Sequence, residues 1–64
     1  MKKPTIGRIV HYNTEVGILS AIICWIHSDD FVNLTVFLPD GNIMAMSNVK
    51  FGNNLKEWSW PIII

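Results

Sequence analysis

The sequence predicts an all-β domain of five short strands, and three observations support this prediction. Segments rich in β-branched and aromatic residues alternate with clusters of Gly, Pro, Asn, Asp and Ser, which are typical of turns. Within several segments apolar and polar side chains alternate, as they do on the two faces of a strand. No stretch carries the helical period of apolar residues together with helix caps.

The first strand is predicted over residues 6–12, after a loose lead-in over residues 1–5, where Pro4 disfavours regular structure. Gly7 indicates a bulge or a bend. Residues 13–17 are polar, end in glycine and are predicted to form a loop. Alternation gives the strand two faces, one with Arg8, Val10 and Tyr12 and the other with Gly7, Ile9 and His11.

The second strand is predicted over residues 18–27. A strand with one solvated face should alternate with polar residues, and this one does not. We therefore expect the core to cover one face and a second subunit or a ligand to cover the other. Cys24 is interpreted as a small core residue. The two faces carry Ile22, Cys24 and Ile26 against Ile23, Trp25 and His27.

A hairpin is predicted next, with strands over residues 31–38 and 42–51. The turn between them fits type I, with Pro39 at its second position and Gly41 supplying a positive φ. The first of these strands has a uniform apolar face, which is the predicted core, and a mixed face. The apolar face carries Val32, Leu34, Val36 and Leu38, and the mixed face carries Phe31, Asn33, Thr35 and Phe37.

Residues 52–56 are predicted to form a loop, and residues 57–60 a last short strand that Pro61 ends. Residues 62–64 are three isoleucines, an aggregation hazard if they are exposed. We expect this tail to pack either on its own domain or on a neighbouring subunit. The whole chain, residues 1–64, is predicted to be a single domain.

A small barrel suits short strands joined by short loops, because closure buries one face of the sheet and removes its unpaired edges. The prediction is a five-stranded, SH3-like barrel, closed or nearly closed. A barrel of the oligonucleotide-binding type is the alternative. That architecture usually has a longer chain and often a helix.

The composition predicts self-association. A chain of 64 residues buries only about 60% of its unfolded surface and is marginally stable by itself. Cys24 is the only cysteine, so no disulfide can form within the chain. Half of the residues are hydrophobic and 16% are charged, against roughly 25% charged in ordinary domains. We therefore expect a homo-oligomer.

The formal net charge is zero, which disfavours binding to duplex nucleic acid. No signal peptide and no membrane-spanning segment is recognised, so a cytoplasmic location is predicted. His11, His27 and Cys24 lack the spacing of a tetrahedral metal site, and no metal or cofactor is expected.

Catalysis is not expected. His11 and His27 are the only histidines, the side chain that most often serves as a general base, and Cys24 is the only strong nucleophile. No nucleophile–base arrangement can be inferred, and no glycine-rich phosphate loop is present. Asp29 and Asp30 form a carboxylate pair that is better explained by a solvated turn. The sequence predicts a protein that is not an enzyme.

Binding is favoured by three tryptophans, three phenylalanines and one tyrosine. Aromatic rings beside Arg, Lys or His can stack on a base or grip a phosphate. The alternative is that the rings fill the core or a subunit interface. Arg8, alone in an apolar strand, should end in an ion pair, an interface or an anion site. The candidate ligand-binding residues are Arg8, His11, Tyr12, Trp25, His27, Lys50, Trp58 and Trp60.

The order of several motifs resembles small proteins encoded by bacteriophages and prophages, most of them without an assigned function. The matching segments are residues 7–12, 21–23, 32–37 and 39–41, followed by Trp58-x-Trp60-Pro61. The chain departs from that pattern at Ser59, where His is expected, and in the tail. The resemblance covers most of the chain, carries no catalytic residue and implies expression in an infected bacterial host.

Such an origin implies a counter-defence factor, an oligomer that sequesters a cyclic nucleotide signal of host immunity. Repetition of Arg8, Lys50 or Lys56 around a symmetry axis would concentrate positive charge in an interfacial pocket. Two alternatives stay open. One is a protein-interaction module that inhibits a host protein through its aromatic surface. The other is a minor structural or virion component.

Overall fold

The computed structural model describes residues 3–61, and this range contains five strands and no helix. The strands form one antiparallel sheet in the order β4-β3-β2-β1-β5. The predicted all-β class is therefore confirmed. The isoleucine tail lies outside the described residues, so both expectations for its docking stay predictions. The strands are β1 Ile9–Thr14, β2 Gly17–Ile26, β3 Phe31–Phe37, β4 Ile43–Lys50 and β5 Trp58–Ser59.

The first strand lies further along the chain than the sequence indicates. Gly7 has a φ of 88° and donates its N–H to the Ile23 carbonyl at 2.7 Å, so the predicted bend is present. Regular pairing begins at Ile9 and continues to Thr14, which pairs with Gly17. The loop predicted over residues 13–17 is thus wrong, because only two residues separate β1 from β2.

A bulge in β2 changes the predicted faces of this strand. Ile23 pairs with Leu34 and Trp25 pairs with Asn33, which leaves Cys24 as the extra residue. Cys24 is exposed, and its Sγ lies 2.9 Å from the Thr35 Oγ1. The expectation that Cys24 belongs to the core is therefore wrong. Beyond the bulge the alternation is shifted, so Ile26 packs against the core.

The β3–β4 hairpin has the predicted turn. Gly41 has a φ of 93° and donates its N–H to the Leu38 carbonyl at 2.9 Å, with Pro39 at the second position of the turn. A second irregularity lies between the pairs that β4 makes with Val32 and Leu34. There Asn48 has a φ of 56°, and its N–H donates to the Asn33 Oδ1 at 2.9 Å.

The end of β4 meets β5 at one point, where Phe51 and Trp58 form an isolated parallel bridge. The Asp30 carbonyl accepts the Phe51 N–H at 2.7 Å and the Trp58 Nε1–H at 3.0 Å. The turn before β3 is therefore tied to both segments. This is the point at which the two outer strands of the sheet approach each other.

The core lies on one face of the sheet. The predicted face of β3 is confirmed, since Val32, Leu34 and Val36 are buried, while Leu38 lies past the strand and is half-buried. No charged or polar residue is buried among the described residues. The core consists of Val10, Tyr12, Ala21, Ile23, Val32, Leu34, Val36, Val49 and Trp58, with Leu19, Ile26, Met44, Met46 and Trp60 packed around it.

Candidate functional site

Three aromatic rings and one arginine form a row beside β5, which we call the aromatic row: Phe51, Trp58, Trp60 and Arg8. The Phe51 and Trp58 ring centroids are 4.8 Å apart, at an interplanar angle of 66°. Those of Trp58 and Trp60 are 5.3 Å apart, at 81°. Both contacts have the edge-to-face geometry that aromatic pairs favour. The Arg8 Cζ lies 5.4 Å from the Trp60 ring centroid.

The pairing of β5 with β1 explains this arrangement. Trp58 pairs with Tyr12, and Ser59 pairs with His11, so alternation returns Trp60 to the side of the sheet occupied by Trp58. Arg8 precedes β1 on the same side and is exposed. Its guanidinium forms no ion pair within residues 3–61 and lies over the Trp60 ring. An exposed guanidinium on an aromatic face keeps donors free for an anion.

Trp58 and Tyr12 have a structural role in the described chain. Their side chains are 1% and 2% exposed, so neither ring has an open face on which a base could stack. The Trp58 Nε1–H is satisfied by the Asp30 carbonyl. For these two of the predicted ligand-binding residues, the structure supports the alternative interpretation, in which the aromatic rings fill the core.

Burial raises the pKa of the Tyr12 phenol above its ordinary value of 10.0. Above that pH the unfolded chain loses the phenolic proton while the folded chain retains it. The unfolded state then binds fewer protons, so the free energy of unfolding should fall as pH rises. Tyr12 is the only tyrosine, so ultraviolet absorbance of the phenolate reports it directly. We expect phenolate to appear above pH 10, and Tyr12→Phe to remove this part of the pH dependence. A Tyr12 that ionises at or below the ordinary pKa contradicts the prediction.

The side of the sheet opposite the core, here called the outer face, is apolar and exposed. Strand pairing places Ile9 beside Ile22, Ile22 beside Thr35, and Thr35 beside Ala45 across four strands. β2 therefore has apolar residues on both sides, but the bulge places Ile26 with Ile23 on the core side and not with Ile22 and Cys24 as predicted. The described residues leave the outer side of β2 open. The large exposed residues of this face include Ile9, Ile18, Trp25, Phe37 and Ile43.

The remaining predicted ligand-binding residues are not part of the aromatic row. The His27 Nε2 lies 2.9 Å from the Asn33 Oδ1, beside Trp25 on the outer face. His11 is half-buried on β1 and pairs with Ser20 and Ser59. Lys50 is exposed at the end of β4 and pairs with Phe31. Of the predicted set, the structure joins Arg8, Trp60 and Trp58 most closely.

A cavity of about 410 Å³ opens near the first hairpin turn. Of its lining residues, the sequence indicates only Tyr12 as a ligand-binding residue and Lys56 as a charge for an interfacial pocket. The alternation Met44-Ala45-Met46 was the available signal, because it places two flexible apolar side chains on one side of a strand. The cavity is lined by Tyr12, Thr14, Glu15, Val16, Met44, Met46, Leu55 and Lys56.

No group of three or more His, Cys, Asp or Glu side chains within residues 3–61 could hold a metal ion. No helix there has the length and hydropathy that crossing a membrane requires.

Residues 3–61 form a small all-β fold that carries the aromatic row, the exposed apolar outer face and a cavity. No protein-family model, curated protein or solved structure matches the chain.

Proposed function

We propose that this chain is a non-enzymatic binding protein, a phage counter-defence factor whose oligomer sequesters a cyclic nucleotide immune signal in the cytoplasm of the infected host. The observation that supports a nucleotide is the exposed Arg8 guanidinium, 5.4 Å from the Trp60 ring centroid. A guanidinium binds phosphate oxygens through two parallel hydrogen bonds. An indole face and a guanidinium plane both stack on bases.

The geometry favours the phosphate as the group that Arg8 holds. Trp60 packs against the core, so its ring supports the guanidinium from one side. The planar cation is thereby oriented before a ligand arrives, which lowers the entropy cost of binding. A lysine would bring the same charge without the planar donors or the stacking.

We propose a nearly closed SH3-like barrel as the building block of this oligomer. The strand order β4-β3-β2-β1-β5 puts β4 and β5 at the two ends of the sheet, and the Phe51–Trp58 bridge joins them at one point. Such a barrel leaves the outer face exposed for contact with further copies. Symmetry would then multiply the charge of Arg8 and Lys50, although one chain has zero net charge.

Calorimetry against a panel of cyclic dinucleotides and trinucleotides tests the ligand. We expect one of them to bind the wild-type chain and to be released intact on denaturation. Loss of a hydrogen-bonded charge costs about 1.5–3 kcal/mol, so Arg8→Ala should weaken binding roughly 10- to 100-fold. Arg8→Lys should recover only part of the affinity, because lysine restores the charge but cannot donate two parallel hydrogen bonds from a planar group.

Lys3→Ala is the matched control, since it also removes one exposed positive charge. It should leave the affinity within about twofold, the range expected for screened surface charges. Absence of heat with every nucleotide, or equal losses in Arg8→Ala and Lys3→Ala, would exclude the proposed site.

The exposed Trp25 on the outer face favours a second candidate, the protein-interaction module that inhibits a host protein. Tryptophan is enriched among the residues that dominate interface energies. In this case one bacterial protein should bind the wild-type chain, Trp25→Ala should lose it, and Arg8→Ala should keep it. A virion component should instead be found in purified particles.

A further inference from the structure

We propose that the cavity beside the first hairpin turn binds a small zwitterion with an apolar body, the chemical class of free aliphatic α-amino acids. This site goes beyond the proposed nucleotide site, because its lining includes neither Arg8 nor Trp60. It is formed by β1, the turn before β2, β4 and the loop before β5.

The interior of the cavity suits an apolar body. Its walls include Tyr12, Val16, Met44, Met46 and Leu55, and its volume is about 410 Å³. Pockets for small molecules are commonly about 300–1,000 Å³ and mostly apolar, with a few polar groups that fix orientation. Methionine side chains adapt to the shape of what they contact. The volume therefore fits one small molecule.

The charged lining residues determine which small molecule. Glu15 and Lys56 both line the cavity, and neither side chain has a hydrogen bond or an ion pair within residues 3–61. Both side chains are exposed, and an apolar molecule without charge would gain nothing from either of them. A lone anion would be repelled by Glu15, and a lone cation by Lys56. A zwitterion offers an ammonium to the carboxylate and a carboxylate to the lysine, so it complements both.

The backbone that carries these charges is held against β1. Lys56 has a φ of 64°, and its N–H donates to the Asn13 carbonyl at 2.7 Å. The Asn13 Nδ2 donates in turn to the carbonyls of Gly52 and Glu57, at 3.3 and 3.0 Å. On the other side Thr14 Oγ1 donates to the Gly17 carbonyl at 2.7 Å and closes the turn that carries Glu15. Both charges therefore start from backbone fixed to the same strand end.

Three probes that share one hydrocarbon body test the proposal. Leucine carries both charges, isocaproate lacks the ammonium, and isoamylamine lacks the carboxylate. Each is titrated at millimolar concentration into the full chain labelled at its methionine methyls. The Met44 and Met46 signals are assigned with methionine-to-leucine variants. We expect leucine to shift both signals and to bind about fivefold more tightly than either analogue, the worth of one partly exposed ion pair.

Variants of the two charges complete the test. Lys56→Gln should reduce leucine affinity about fivefold and remove the preference for leucine over isoamylamine. Glu15→Gln should remove its preference over isocaproate. Lys3→Gln and Asp29→Asn, which change the net charge equally outside the lining, should do neither. The proposal is overturned if no probe shifts either methionine, if an analogue binds as well as leucine, or if the control variants act like the lining variants.

Discussion

Replacing Trp58 with alanine is expected to unfold a large fraction of the protein at room temperature. The side chain is 1% exposed, contacts Phe51 and Trp60 edge to face and donates its Nε1–H to the Asp30 carbonyl. Truncation of a buried tryptophan costs about 3–5 kcal/mol. A chain of 64 residues is expected to have a total stability of about 3–10 kcal/mol. One substitution can therefore remove most of it, which urea or thermal unfolding followed by circular dichroism will measure.

Two further variants show what causes the loss of stability. One removes the hydrogen bond of Trp58 but keeps an aromatic ring, and the other truncates a tryptophan that is exposed. Trp58→Phe keeps an aromatic ring and loses the Nε1–H, so we expect an intermediate loss of about 1–2 kcal/mol. Trp25→Ala truncates a side chain that is 56% exposed. Measured at concentrations low enough to dissociate any oligomer, it should change stability by less than about 1 kcal/mol. Equal losses for Trp58→Ala and Trp25→Ala would contradict the assignment of Trp58 to the core.

The regular parts of the fold could be predicted because alternation determines them directly. Val32, Leu34 and Val36 recur on one face of β3, and the structure buries all of them. The Pro39 and Gly41 turn was predictable because each residue has a restricted or unusual backbone preference. The bulge at Cys24 leaves no such signal. An extra residue in a uniformly apolar strand changes every later face without changing the pattern of residue types.

The sequence does not indicate the limits of β1, because the polar residues at its end are typical of loops. Asn13 pairs with Ile18 in the sheet, while its side chain donates to the carbonyls of Gly52 and Glu57. Those partners lie 39 and 44 positions along the chain, so local sequence cannot indicate them. The same reason applies to the cavity, where Met44 and Leu55 meet Tyr12 only through the folded sheet. The shared side of Trp58 and Trp60 was predictable from their spacing, and the burial of Trp58 was not.

Introducing an arginine at Trp25 is expected to convert an oligomer of this chain into monomers. The outer face exposes Trp25 together with Ile9, Ile18, Phe37 and Ile43, and burial of such surface contributes roughly 25 cal/mol per Å². A central tryptophan in an interface is typically worth about 2 kcal/mol or more, which is a change of about 30-fold in the dissociation constant. Trp25→Arg also places a charge in an apolar contact, so dissociation should exceed that of Trp25→Ala. Light scattering over a range of concentrations gives both constants.

Leu55→Arg is the matched control for this prediction. Leu55 is 55% exposed, close to the exposure of Trp25, and it lines the cavity away from the outer face. It introduces the same charge and should leave the oligomer intact. If both variants dissociate the oligomer equally, net charge and not the outer face governs assembly. If the wild-type chain scatters as a single 7.3 kDa unit at micromolar concentration, the outer face is not a self-contact. In that case the apolar surface around Trp25 must be explained by a different protein, and the host-binding candidate becomes the stronger one.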